Sequence, residues 1–390
     1  MNRVRWAHLA LGLAVLLTGC SGFWDKPSGG GGGGGGNASG VFYVLNQTTQ
    51  QVVGFAFASG STTPKAVTGG SASLGVIPYA MAIAPGGGFL YVSTGGGIFA
   101  YSIASSGALT LLNNSQAISQ DLPTSMAVDG TGTWLIESIG GSGILNAIPI
   151  SASTGILDTA RTVQTAQLPN TFLNGIAASP ANQGTPYIFV AMGTGGTEIL
   201  PFTANSTGNP FGTLSNIKVL KSGGGATAIA VDPTNRLLYV GETVAVSGTQ
   251  TGGLRVFTIS STHIAEVSGS PYATAGAGPS AIVPLTNYVY VANKTVTGAG
   301  TTSNITGFPI VSTGGVYSLG AVINTINAGT NTVGLAQENT GTYLLAVNAG
   351  GSPDLSTYTY DTTTPGKLVA GATASTGTDP TRPNAIVAVP

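Results

Sequence analysis

A short apolar segment built from small residues recurs seven times along the chain. When its central residues are aligned, successive copies are separated by 45, 50, 53, 53, 53 and 51 residues. These central residues are Met81, Met126, Ile176, Ile229, Ile282, Leu335 and Ile386. A repeat of about 40 to 50 residues that contains four short strands is typical of a β-propeller blade. The spacing therefore predicts seven blades.

A bulkier strand follows each small-residue strand after a polar turn. Residues 89–92 and 237–240 are examples, and a third and a fourth strand follow at 254–259 and near 265–267. Blades narrow toward the central axis, so the small-residue strand is expected to lie innermost and the bulkier strands farther out. The fold class predicted is all-β, a seven-bladed β-propeller of four-stranded antiparallel blades.

The two ends of this repeat region are complementary. The seventh small-residue strand, 385–389, ends the sequence, whereas the strands at 41–44 and 53–57 have no small-residue strand before them. We expect the C-terminal strand to complete the N-terminal blade, because closing the ring in this way removes free sheet edges.

The N-terminal residues have the pattern of a secretory signal. Arg3 and Arg5 precede an apolar run at 9–17, which is shorter than the roughly 20 residues that a membrane-spanning helix needs. The run leads to Leu-Thr-Gly-Cys at 17–20, which resembles the bacterial lipobox and marks Cys20 as a lipidation site. Ser21 favours the outer membrane of the cell envelope. An ordinary signal peptide with a chance cysteine is the alternative.

Eight consecutive glycines at 29–36 follow, and such a stretch cannot bury apolar surface. The predicted organisation is a signal peptide at 1–19, a lipid-anchored flexible linker at 20–40 and the propeller at 41–390.

Charge is scarce in this chain. After removal of Arg3 and Arg5, 10 Lys and Arg residues face 13 Asp and Glu residues, which gives a formal charge near −3. The basic residues are scattered, so the sequence does not favour nucleic-acid binding. Cysteine and histidine clusters are absent and carboxylates are isolated, so we expect no metal site and no cofactor. A monomer is expected, bound to the membrane through Cys20.

Three sequence motifs carry a family resemblance: Ala-Val-Asp-Pro at 230–233, Leu-Tyr-Val at 238–240 and Tyr-Val-Ala-Asn at 290–293. The chain resembles the lactonase-like and YVTN-type seven-bladed propellers over residues 41–390. Members similar to 6-phosphogluconolactonase often have Gly-Pro-Arg-His entering a blade, which supplies a cation and an imidazole to a lactone. Here the matching residues are Gly-Pro-Ser-Ala at 278–281, and His263 falls between a third and a fourth strand.

Polar residues near the ends of the first two strands are the candidate site. The catalytic candidates are Glu137, Glu242, Lys294 and Arg382; the candidates for a ligand-binding face around the channel are Asp121, Arg161, Asn293, Asn348 and Asp379. Glu137 and Glu242 are interpreted as equivalent positions after the second strand, where they would converge with Lys294 and act as acid and base. The alternative is that Glu137 and Glu242 are solvated loop residues or form hydrogen bonds between neighbouring blades. Asp129 and Asp232 are expected to accept hydrogen bonds from turn amides.

Two functions follow from these observations. The main hypothesis is a binding or scaffolding module for a neutral glycan, a peptide or another envelope protein, because the Arg-His pair is missing. The alternative is a lactone hydrolase or related sugar-acid enzyme, as the family resemblance implies.

Overall fold

The computed structural model describes residues 39–390, apart from residues 140, 166, 170–171, 182–185, 214, 218–223, 245, 247–251, 261–263, 297–301, 352 and 380. The predicted signal peptide, Cys20, the glycine tract and His263 lie outside the described residues. No helix in the described part of the chain is long and apolar enough to cross a membrane. Its only helices are two short 3-10 turns, Asn113–Ser115 and Thr159–Arg161.

Seven antiparallel sheets form the body, and we number them as blades 1 to 7 and name their strands a to d from the inside outward. Blade 1 contains Pro383–Ala388, Ser39–Asn46, Gln51–Phe57 and Lys65–Ala66, with Ala72–Ser73 also on its third strand. Blade 2 contains Pro78–Ile83, Phe89–Thr94, Gly97–Ile103 and Leu109–Leu111. Blade 3 contains Pro123–Val128, Trp134–Ile139, Leu145–Pro149 and Val163–Gln164. Blade 4 contains Gly175–Ala178, Tyr187–Ala191, Thr197–Pro201 and Ser215–Ile217.

The remaining three blades follow the same order. Blade 5 contains Ala226–Val231, Leu237–Glu242, Gly253–Ile259 and Ile264–Glu266, with Tyr272–Ala273 also on strand c. Blade 6 contains Ala277–Pro284, Tyr288–Thr295, Thr302–Thr313 and Val316–Leu319, with Asn324–Thr330 also on strand c. Blade 7 contains Thr332–Gln337, Leu344–Asn348, Leu355–Tyr360 and Leu368–Ala374.

The a strands form a closed ring, because each of them contacts the a strands of both neighbouring blades. Blade 1 is completed by the C-terminal strand, which pairs antiparallel with Ser39–Asn46 through Phe42 opposite Ala388 and Val44 opposite Ile386. The predicted seven-bladed architecture and its closure by the last strand are therefore confirmed.

The core lies between blades. Each hydrophobic cluster joins two neighbours; one of them, for example, packs Tyr91 and Ile98 of blade 2 against Met126 and Leu135 of blade 3. Successive residues of a strand point to opposite faces, so both faces of a b strand are buried against a neighbouring blade. This packing explains why the b strands are apolar at nearly every position.

Buried tyrosines tie neighbouring blades together. The hydroxyls of Tyr43, Tyr91 and Tyr290 donate to the carbonyl oxygens of Gly107, Gly155 and Gly366 at 2.8, 2.8 and 2.7 Å, each in the next blade. A Cβ at Gly366 would lie 2.3 Å from the Tyr288 ring, and its φ of +78° also favours glycine. Tyr239 stands at the same register position, but its hydroxyl has no hydrogen-bond partner among the described residues.

Candidate functional site

The upper face, where the a strands begin and the b strands end, has one feature in six of the seven blades. The register between strands a and b shifts there and leaves one residue of strand a without a cross-strand partner. These residues are Tyr79, Thr124, Thr227, Ser280, Val333 and Asn384. None of the six is charged, so this ring of innermost positions supplies no cation for an anionic ligand.

Ser280 stands where some relatives have the arginine of Gly-Pro-Arg-His. Its hydroxyl donates to the carbonyl oxygen of Thr332 in the next blade at 2.7 Å. Thr227 makes the same kind of bond to Pro279 at 2.6 Å. Ser280 therefore joins two blades.

Two predicted ligand-binding residues are buried and form hydrogen bonds inside the protein. Asn293 and Asn348 are fully buried. Asn293 donates to the Thr274 carbonyl and the Asn304 side chain at 2.8 and 2.7 Å. Asn348 accepts from Thr332 at 2.7 Å and donates to Pro353 and Ser356. Their placement in the ligand-binding face is corrected, because their amide groups face blade interfaces.

Glu242 forms a buried ion pair. It is 2% exposed, and its Oε1 accepts from Nε of Arg255 at 2.9 Å. Arg255 also contacts Glu266. Burial alone would lower the pKa of Arg255, but the hydrogen bonds and charges of these two glutamates outweigh it and raise that pKa. Leu238 and Val240, on the same face of the strand, pack against blade 4, so Glu242 lies between blades 4 and 5.

The remaining predicted cations and Asp379 are at the surface. Lys294, Arg382 and Asp379 are exposed. Arg161 ends a 3-10 turn between strands c and d of blade 3, beside residues that line a cleft described below. Its Nε lies 2.6 Å from the Asp158 carboxylate.

Acidic residues stabilise the turns between strands a and b on the opposite face. Asp129 accepts from the backbone amides of Thr131, Thr133 and Trp134 at 2.8, 2.8 and 2.6 Å. Asp232 accepts from turn amides in the same way, as predicted. Glu338 has this role in blade 7, although its sequence position did not predict it.

Glu137 differs from Glu242 in position and partner. It pairs with Met126 on one side and Asn146 on the other. Leu135, on the same face of the strand, packs against blade 2, so Glu137 lies between blades 2 and 3. The predicted convergence of Glu137, Glu242 and Lys294 is wrong, because the two glutamates point into different blade interfaces and Lys294 faces solvent.

The Glu137 carboxyl meets a second carboxyl, that of Asp121. Nδ2 of Asn146 donates to Oε1 of Glu137 at 2.8 Å. Burial raises the pKa of Glu137 to about 8. The hydrogen bond from Asn146 lowers this pKa, and the negative charge of Asp121 raises it. Glu137 therefore carries its proton at neutral pH.

Asp121 borders an open cleft of about 770 Å³ on the upper face. Ser119 Oγ donates to Oδ2 of Asp121 at 2.9 Å and accepts from the Asp121 amide at 3.1 Å. The cleft is lined by Ala117, Ile118, Ser119, Gln120, Asp121, Asn146, Thr159, Thr162 and Gln164. Its polar groups are hydroxyls, amides and one carboxylate. Asp121 and Glu137 are among the site residues predicted from the sequence, whereas Ser119 and Asn146 are not.

A second depression, of about 840 Å³, opens on the opposite face between blades 3 and 4. It is lined by Thr131, Thr133, Pro186, Phe202, Thr203, Ala204 and Asn205. It contains no carboxylate, cation or histidine that can transfer a proton. In the described part of the chain, no three His, Cys, Asp or Glu residues are grouped to hold a metal ion.

The sequence matches the family model described as "Lactonase, 7-bladed beta-propeller" over residues 42–381. A search of curated proteins returned no match. Among solved structures, a candidate 6-phosphogluconolactonase from Bacteroides fragilis has a TM-score of 0.65 at 15% identity, covering 90% of this chain and 98% of its own. A periplasmic gluconolactonase from Pseudomonas aeruginosa has a TM-score of 0.63 at 17% identity, covering 90% and 99%.

At these identities the solved structures establish the fold, while the family match extends over nearly all seven blades. The chain therefore belongs to the lactonase family of seven-bladed β-propellers.

Proposed function

We propose that this protein hydrolyses sugar lactones and that Asp121 is its general base. The observation that carries the proposal is the Asp121 carboxylate, oriented by Ser119 and open to a cleft of neutral hydrogen-bonding groups. Family membership supports this hydrolase alternative over the binding module. Sugar lactones present hydroxyls and one reactive carbonyl, and the cleft offers partners for both.

In the proposed reaction Asp121 accepts a proton from a water molecule as the water oxygen bonds to the lactone carbonyl carbon. The carbonyl electron pair moves onto its oxygen, and the hydroxyl and amide donors of the cleft stabilise that negative charge. The carbonyl then re-forms, the bond to the ring oxygen breaks, and Asp121 returns the proton to the leaving oxygen. The product is the open hydroxy acid.

The proposed substrate carries no phosphate. Phosphate recognition relies on Arg or Lys, and the lining of the cleft includes neither. Arg161, which lies between the lining residues Thr159 and Thr162, is paired with Asp158. A carboxylate inside the cleft also disfavours a phosphorylated ligand.

The test is hydrolysis of glucono-δ-lactone and its 6-phosphate, measured by pH-stat titration and corrected for spontaneous hydrolysis. We expect the unphosphorylated lactone to be preferred and Asp121→Asn to lower kcat/KM at least 100-fold. Asp361→Asn is the matched control, because Asp361 lies in a turn of blade 7 and an asparagine oxygen can accept the same bonds. Full activity of Asp121→Asn would refute the assigned base, and no turnover of any lactone would refute the function.

We also propose that the protein acts in the cell envelope, held by a lipid on Cys20. The charged, apolar and small-residue segments before Cys20 support this location, and one similar structure is a periplasmic enzyme. In cells fed an alkyne fatty acid, the wild-type protein should incorporate the alkyne label. The Cys20→Ser variant should remain unlabelled and should be recovered in the soluble fraction. Equal labelling of both proteins would contradict the proposal.

A further inference from the structure

Glu137 occupies a position that is apolar in every other blade. The residues in register with it on the b strands are Val44, Val92, Val190, Val240, Val291 and Ala346. Placing a carboxyl in an apolar interface costs folding free energy unless hydrogen bonds compensate it. A carboxyl group at this otherwise apolar position therefore indicates a functional role for Glu137.

The surroundings of Glu137 leave one of its oxygens without a donor. The side chain is 0% exposed, and Asn146 donates only to Oε1. Oε2 has no hydrogen-bond donor among the described residues. Blade 2, which packs against this face, offers no charged side chain, because residues 66–120 contain no Asp, Glu, Lys, Arg or His. The titratable side chains of its strands are tyrosines, and the Tyr91 hydroxyl is bonded to Gly155.

A proton on Oε2 of Glu137 would explain why this buried oxygen has no hydrogen-bond donor. A protonated carboxyl is a donor, and the neighbouring Asp121 carboxylate is an acceptor. Two neighbouring carboxyls cannot both ionise readily, so one retains its proton. Burial selects Glu137 as the group that keeps it, since Asp121 borders the open cleft.

We propose that Glu137 is a positioning residue for Asp121: its protonated carboxyl donates to Asp121 and holds that carboxylate toward the cleft. The inference rests on the proposed function, since positioning has meaning only if Asp121 is the base. A hydrogen bond from Asn146 orients the Glu137 carboxyl, and a hydrogen bond from Ser119 orients the Asp121 carboxylate. The same contact makes the site sensitive to pH. Ionisation of Glu137 removes the donor and places a second negative charge beside Asp121.

Two variants separate positioning from a purely structural role. Glu137→Gln keeps an acceptor for Asn146 and presents an amide donor to Asp121 at every pH. Its kcat/KM at pH 7 should stay within about threefold of wild type. The loss of activity that we expect of the wild type above about pH 8 should be absent in this variant. Glu137→Val restores the residue that five other blades have. It should fold at least as stably as wild type and lose at least tenfold in kcat/KM.

A readout independent of hydrolysis is the infrared carbonyl stretch of a protonated carboxyl. Wild type should show this band at pH 7 and lose it above about pH 8, and Glu137→Gln should lack it. Absence of the band at pH 7 would overturn the proposal. It would equally fail if Glu137→Val were fully active while Asp121→Asn was inactive, and the proposed function would then still stand. If wild type hydrolyses no lactone, the function and the positioning role fall together, although the buried proton remains measurable.

Discussion

The hydroxyl of Tyr290 in blade 6 donates a 2.7 Å hydrogen bond to the carbonyl oxygen of Gly366 in blade 7. Tyr239 in blade 5 is buried at the same register position, but its hydroxyl has no partner among the described residues. The two tyrosines therefore form a natural comparison of a satisfied and an unsatisfied buried hydroxyl.

We expect Tyr290→Phe to lower the free energy of unfolding by about 1 to 2 kcal/mol, because it leaves the Gly366 carbonyl unpaired. Tyr239→Phe removes a hydroxyl that gains nothing from burial, so it should be neutral or stabilising. Urea unfolding of the two variants measures the difference. An equal loss in both would mean that the bond to Gly366 contributes no stability.

Arg255→Met should destabilise the protein by about 3 to 5 kcal/mol, because it removes the guanidinium group from a buried ion pair with Glu242. Arg161→Met is the control, since its ion pair with Asp158 is exposed and should change stability by less than about 1 kcal/mol. Both are measured by denaturant unfolding. Similar costs for the two substitutions would argue against a buried ion pair between blades 4 and 5.

Stability should fall with rising pH because of Glu137. Its pKa is raised from 4.5 to about 8 by folding, so between these values the unfolded chain releases a proton that the folded chain keeps. The stabilising contribution is complete below pH 4.5 and is lost as the pH rises to about 8, by on the order of 5 kcal/mol in total. Above pH 8 the contribution no longer changes. Subtracting the unfolding free energies of Glu137→Gln from those of wild type isolates this contribution, and a flat difference from pH 5 to pH 8 would contradict the assignment.

Removal of the C-terminal strand should open the ring. A chain that ends at residue 382 lacks Pro383–Ala388 and exposes the edge of Ser39–Asn46, so we expect it to aggregate. A chain shortened only by Pro390 keeps every pair of this strand and should remain soluble. The soluble fraction and near-ultraviolet circular dichroism give the readout. A truncated chain with native dichroism would show that closure is dispensable.

The architecture was predictable because the small-residue strand repeats and is left over at the C terminus. The site was predictable only in part, because Glu137 and Glu242 both follow bulky strands and were aligned on that basis. Strand pairing places Glu137 opposite Met126 and Glu242 opposite Ala226. The sequence contained a better guide: Val240 follows Ile229 by eleven residues, as Glu137 follows Met126. Val240 is therefore the residue equivalent to Glu137, and Glu242 lies two positions farther along strand b.

The partners of the acidic residues were less accessible to sequence analysis. Asn146 and Arg255 lie on c strands, whose registers depend on loops of different lengths in each blade. Asn293 and Asn348 look like available amides in the sequence, yet packing encloses both. Both faces of a blade are buried because the neighbouring blades pack against them, so the sequence of one repeat alone does not predict this burial.

Closure of the ring by the strand Pro383–Ala388 also determines the order in which the blades can form during synthesis. Phe42 pairs with Ala388, and the strand Pro383–Ala388 follows the strands of the other six blades along the chain. During synthesis, blades 2 to 7 can assemble from neighbouring segments, whereas blade 1 can be completed only after Pro383–Ala388 has emerged. Such a long separation between paired residues slows folding. A ribosome that stops early therefore releases a chain with an open edge, which marks incomplete copies for aggregation or proteolysis.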